Sequence, residues 1–194
     1  MCLALFGRTE EALAEAQRSL KLEPFSSRLN FFRARILFFL GNNDRAIEQL
    51  LDTLEMEPNS PAAHELLGYA YEKKGIHKDA IAEWGKALTL TGMGEQAAIL
   101  ERVYAASGFE AAVSAVAQDQ VQRLNQRVKQ GEYVPAHEYV TAYTRLNEKN
   151  QAFAWLDRAM IERNGFVFEV QGNPIYDKLR ADPRFSDLLR RNAL

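Results

Sequence analysis

The sequence predicts an all-α chain of antiparallel helix–turn–helix hairpins closed by a C-terminal capping helix. Three observations lead there. Apolar residues recur at intervals of three and four, the period of a helix with one buried face. The best alternating strand candidate, FVFEV from Phe166 to Val170, is short. Gly7, Gly41 and Gly75 fall 34 residues apart, as do Ala12, Ala46 and Ala80, Pro24 and Pro58, and Leu50 and Trp84. Four columns sharing one period mark a repeated supersecondary unit.

Each column has a physical reason. The glycine takes the left-handed conformation that ends one helix and allows a tight turn. The alanine five residues later sits where two helices cross, and a larger side chain would push them apart. The large apolar residue four further on lies one helical turn away on the same face. The proline closes the unit because it cannot continue a helix interior.

Taken in order, residues 1–24 form the second half of an incomplete repeat, carrying Gly7, Ala12 and Pro24. Its first helix would need residues before Met1, so a longer protein is expected. Hairpin 27–58 keeps Gly41, Ala46 and Pro58; hairpin 61–92 keeps Gly75, Ala80 and Trp84. A third hairpin, 94–130, is expected from Tyr104 and Gly108, spaced like Tyr71 and Gly75, with one long second helix running to about Gln130. A fourth, 133–163, pairs Tyr143 with Asn147, asparagine being an accepted left-handed substitute for glycine, before Ala152, Leu156 and Ala159. The tail, 164–194, turns at Asn173-Pro174. It then offers Asp182 as N-cap, Pro183 at the first helical position, and an apolar face of Phe185, Leu188 and Leu189. Such a helix would cover the hydrophobic end of a repeat array.

The pattern resembles the tetratricopeptide repeat. Its Leu-Gly pair and Tyr in the first helix, then Gly, Ala, aromatic and Ala, are matched by Leu67, Gly68, Tyr71, Gly75, Ala80, Trp84 and Ala87. His64 stands where that family usually has an aromatic residue, and Gly92 where it usually has proline. Hairpin 27–58 departs with Arg33-Ala34 for Leu-Gly and Leu37 for Tyr. The resemblance implies one right-handed solenoid across residues 1–194, with the first helix of each hairpin lining a concave groove. The stretch 136–194, with IYDKLRADPRFSDLLRR, resembles the C-terminal end of a group of bacterial tetratricopeptide proteins. In those, the repeats often follow a winged-helix, kinase or cyclase effector.

Composition narrows the function. Lys and Arg total 24 against 26 Asp and Glu, which argues against direct nucleic-acid binding, since that usually goes with a basic excess. No apolar run approaches the ~20 residues that span a bilayer, and MCLALFGRTEE lacks a basic n-region and a cleavage pattern. A cytoplasmic location is expected. Cys2, the single cysteine, excludes an internal disulfide and a cysteine-based metal site.

No catalytic constellation emerges, and neither cofactor nor metal is expected. His64, His77 and His137 have no metal-ligand spacing. His64 reads as a packing residue and His77 as a solvated turn residue. The pairs Glu10/Glu11 and Glu55/Glu57 read as solvated helix faces. Gly92-Met93-Gly94 lacks the Lys-Ser/Thr of a phosphate loop, and neither Ser107 nor Ser114 lies in a Gly-x-Ser-x-Gly turn.

A binding scaffold for a protein or peptide partner is the remaining expectation. Helical spacing places Arg28, Phe31, Arg35 and Phe38 on the groove side of the first complete hairpin, with Phe32 and Phe39 adding apolar surface. Tyr69, Glu72 and Lys73 follow in the second, Arg102 in the third, and His137 and Arg145 in the fourth. The arginines favour an acidic, partly apolar segment. Two rivals are self-association into a homodimer through Leu3, Leu5, Phe6, Leu13 and Leu20, and a regulatory domain holding a small molecule.

Overall fold

A computed structural model describes residues 9–162 and 166–191. It contains twelve α-helices and one short 3-10 turn, with no strand among the described residues. FVFEV lies in a helix, Phe166–Gly172. The chain divides into two compact units, residues 1–109 and 110–194.

The first unit holds α1 (Thr9–Leu22), α2 (Ser27–Phe39), α3 (Asn43–Met56), α4 (Pro61–Lys73), α5 (His77–Leu90) and α6 (Gly94–Ser107). Each packs against the next, and α2 also touches α4. The turn glycines do what the period demanded. Gly41 and Gly75 both have φ +73°. The Gly41 N–H donates to the Phe38 carbonyl and the Asn42 N–H to that of Leu37, at 2.9 Å each. The Gly75 and Ile76 N–H groups repeat the pattern onto Glu72 and Tyr71. This is the Schellman arrangement, which satisfies carbonyls that a helix end leaves orphaned. The crossing alanines Ala46 and Ala80 are fully buried. Around them, Ala34, Leu37, Phe38, Leu50, Ala63, Leu66, Leu67 and Ala70 form one core.

Size complementarity explains the departure at Ala34. A Cβ added to Gly68 would fall inside the Trp84 indole. In the preceding hairpin the equivalent pair is Ala34 and Leu50, and the smaller Leu50 leaves room for the methyl group. Gly108 differs from Gly41 and Gly75. It has φ +83°, its N–H donates to Tyr104, and Phe109 starts α7 (Phe109–Lys129) at once.

The second unit holds the rest of α7, then α8 (Ala136–Arg145), α9 (Lys149–Ile161), α10 (Phe166–Gly172), α11 (Asp177–Arg180) and α12 (Pro183–Arg191). Asn147 has φ +57° and closes α8 with the same Schellman pair, its N–H on Thr144 and that of Glu148 on Tyr143. Val140, Ala152, Phe153, Leu156, Val170, Tyr176, Leu179, Phe185 and Leu188 form its main core. The tail therefore packs as the apolar face of α12 required. Tyr139 stacks on Trp155 at 3.9 Å, and its hydroxyl donates to Asn125 at 2.9 Å. The Asp182 side chain caps α12 by accepting from the Arg184 N–H at 3.1 Å. The Arg184 guanidinium bonds back to the same carboxylate and holds its pKa down at about 2.

Candidate functional site

The residues expected to line a binding face divide between the units. Helix α2 places four of them in a pattern. Arg28 is exposed, with its guanidinium 5.5 Å from the centre of the Phe32 ring; Arg35 is half-buried, 5.3 Å from that of Phe39. Both pairs are four residues apart, and the arginines are seven apart, so all four lie on one helix face. A guanidinium over an aromatic ring is partly desolvated and held in place. Phe31 is half-buried against the core. Phe38 requires a correction: it is 0% exposed and belongs to the core, so it offers no surface. A helix reading NFFRARILFF is apolar nearly all round, and only packing decides which phenylalanine goes inward.

On α4, Tyr69 is half-buried; its hydroxyl donates to Glu65 at 3.3 Å and its ring meets Trp84 edge-on at 5.4 Å. Glu72 is half-buried and Lys73 exposed, as is Arg102 on α6. In the second unit, the half-buried His137 packs its ring 5.2 Å from that of Phe166, and Arg145 is half-buried at the end of α8. Of the residues proposed for self-association, Leu3, Leu5 and Phe6 lie outside the described residues, while Leu13 and Leu20 are half-buried.

A second constellation in the first unit is a polar clamp that occurs twice. In hairpin 27–58, the buried Asn30 amide donates to the Pro24 carbonyl at 3.1 Å and accepts from Gln49 at 2.7 Å. The Gln49 oxygen in turn accepts from Arg33. In hairpin 61–92, the His64 ring meets the Pro58 carbonyl at 2.9 Å and the Glu83 carboxylate at 2.5 Å. The other Glu83 oxygen accepts from Lys86 at 2.8 Å. Asn30 and His64, Gln49 and Glu83, and Pro24 and Pro58 are each 34 residues apart. The packing role expected of His64 is therefore specific. It ties the first helix of its hairpin to the second and to the end of the preceding hairpin. The carbonyl can only accept, so Nε2 carries a proton. Burial, then the charges of Asp79 and Glu83, push the Tyr71 phenol above its ordinary range. The polar columns share the repeat's period and were open to discovery in the sequence. His77 is exposed, as expected, and its ring stacks on Phe109 at 4.0 Å; Phe109 in turn stacks on Trp84 at 5.9 Å.

A cleft of about 890 Å³ opens beside the second clamp, lined by α3, α4, α5 and Glu101 of α6. A smaller one of about 620 Å³ in the second unit lies among Phe153, Asp157, Arg184, Asp187, Arg190 and Arg191. There Asp157 and Asp187 already pair with Arg191 and Arg190. Among the described residues there is no group of three His, Cys, Asp or Glu side chains able to hold a metal ion, and no helix long and apolar enough to cross a membrane.

Stacked hairpins with left-handed turn residues, small crossing residues and exposed first-helix side chains define a helical-repeat scaffold. A tetratricopeptide-repeat family model matches residues 6–48 and 33–98, all within the first unit. No curated protein matches the chain.

Proposed function

We propose that the first unit is a non-catalytic docking scaffold whose first-helix face takes an acidic, partly apolar peptide or helix. Tetratricopeptide repeats generally mediate protein–protein interaction. The observation that carries the reading here is the pair of ring-braced guanidinium groups, Arg28 over Phe32 and Arg35 over Phe39. Each sets a planar positive charge beside an aromatic surface, a pairing suited to a carboxylate next to an apolar side chain. Lys73 and Arg102 add exposed positive charge on α4 and α6. By the likeness of its tail, the chain is the cytoplasmic docking or sensing region of a bacterial signalling or transcription-regulatory protein.

Peptides selected from a random display library on the full chain test this. Acidic peptides with apolar residues should be enriched. Their affinity by titration calorimetry should fall about tenfold or more in the Arg35→Glu/Arg102→Glu variant. Unchanged affinity would sink the reading. A second reading, self-association, is favoured by Leu22, at the end of α1, and Phe25, before α2, which are 85% and 87% exposed. Light scattering over a dilution series decides it: a mass that stays near 22.0 kDa at every concentration removes it.

A further inference from the structure

We infer that the cleft beside the His64–Glu83 clamp is a second docking site, of opposite charge preference to the α2 face, for a peptide segment carrying a Lys or Arg among apolar residues. One glycine stands out in its lining. Gly85 sits in the interior of α5, where glycine is a poorer helix former than alanine. The equivalent residue of the preceding hairpin is Leu51. The repeat itself therefore accepts a large side chain here. A Cβ on Gly85 would stand 3.3 Å from the Glu101 carboxylate, so the bare backbone lets that carboxylate close onto α5.

The lining fits one kind of occupant. Leu51 and Leu90, both in the lining, are 45% and 39% exposed. Leu54, Leu67 and Pro58 continue the apolar surface. Three carboxylates, Glu55, Glu83 and Glu101, face the cleft against Lys86 and His64. His64 and Lys86 are both spent on Glu83. Glu55 and Glu101 have no ion-pair partner among the described residues. A guanidinium or ammonium would meet them while its neighbours cover Leu51 and Leu90. An acidic segment would meet uncompensated carboxylates, which is how a site rejects a wrong partner.

The same library selection on the full chain tests this separately from the first-helix face. A class of peptides with Lys or Arg beside Leu, Ile or Met should be enriched. By fluorescence anisotropy, its affinity should drop about tenfold in Gly85→Leu and in Glu101→Lys, and stay within about twofold in Arg35→Glu/Arg102→Glu. Gly85→Leu restores the residue of the preceding hairpin. If circular dichroism shows it misfolded, Glu101→Lys decides alone. Enrichment of acidic peptides only would leave the first-helix face standing and overturn the cleft. So would a basic class indifferent to Glu101→Lys, or no basic class at all.

Discussion

Hairpin 27–58 clamps its helices with two amides, Asn30 and Gln49; hairpin 61–92 uses an imidazole and a carboxylate, His64 and Glu83. The first sets Ala34 against Leu50, the second Gly68 against Trp84. The backbones are alike: both turns carry a glycine at φ +73° with the same pair of capping bonds. What the repeat preserves is a relation between partners, a donor facing an acceptor or a small residue facing a large one, while the identities change together. That is expected wherever close packing and buried hydrogen bonds, rather than single residues, set stability. It also locates what is individual. Gly85 stands where the preceding hairpin has Leu51, the Glu101 carboxylate lies against it, and both line the cleft.

The comparison breaks most visibly at the clamp. His64→Leu should lower stability by about 3 kcal/mol, because it leaves Glu83 largely buried and short of a partner. His64→Asn with Glu83→Gln transplants the amide clamp and should come within about 1 kcal/mol of the parent. Urea unfolding followed by circular dichroism measures both. Equal losses in the two variants would mean that the clamp does not act as a pair.

Next in size is the crossing pair. Alanine is the better helix former, yet Gly68→Ala should cost about 2 kcal/mol, because its methyl group overlaps the Trp84 indole. Adding Trp84→Leu recreates the Ala34–Leu50 pair, and the double variant should show a coupling of about 1 kcal/mol or more in its favour. Strict additivity in thermal melts would refute the size-matching account.

The smallest effect extends the contrast of charged and neutral contacts to the second unit. The Arg184 side chain and backbone hold the Asp182 carboxyl at about 2, below its ordinary 3.8. A depressed carboxyl contributes stability that is fully present above its unfolded pKa and lost as pH falls through the folded one. Stability should therefore decline between about pH 4 and pH 2. Asp182→Asn keeps the cap acceptor, removes the charge and should flatten that decline. An identical acid titration for both proteins would assign the slope elsewhere.

The hairpins were legible because their marks are local. A left-handed residue at Gly41, Gly75 or Asn147 and a Pro at the start of α12 follow from backbone sterics within a few residues. The long helix α7 and the apolar face of α12 followed from periodicity. The binding face was only partly legible. Arg28 and Arg35 lie where helical spacing put them, but Phe38 turned inward while Phe39 stayed beside Arg35. Adjacent phenylalanines on a helix with no polar stripe give no local basis for choosing between them. Division of the chain into two compact units at Phe109 has no composition break or linker to announce it.

By itself, then, the sequence determined the hairpin period, the turn conformations and the helical character of every segment described. These depend on φ, on side-chain volume at one crossing point and on apolar spacing, all properties of near neighbours along the chain. The tertiary structure alone decided which phenylalanine is core, how the residues of the polar columns pair, and that Gly85, Glu55 and Glu101 line one cleft. Those outcomes depend on side chains far apart along the chain, sixteen positions for Arg33 with Gln49 and nineteen for His64 with Glu83, and their energies exist only once the helices are packed.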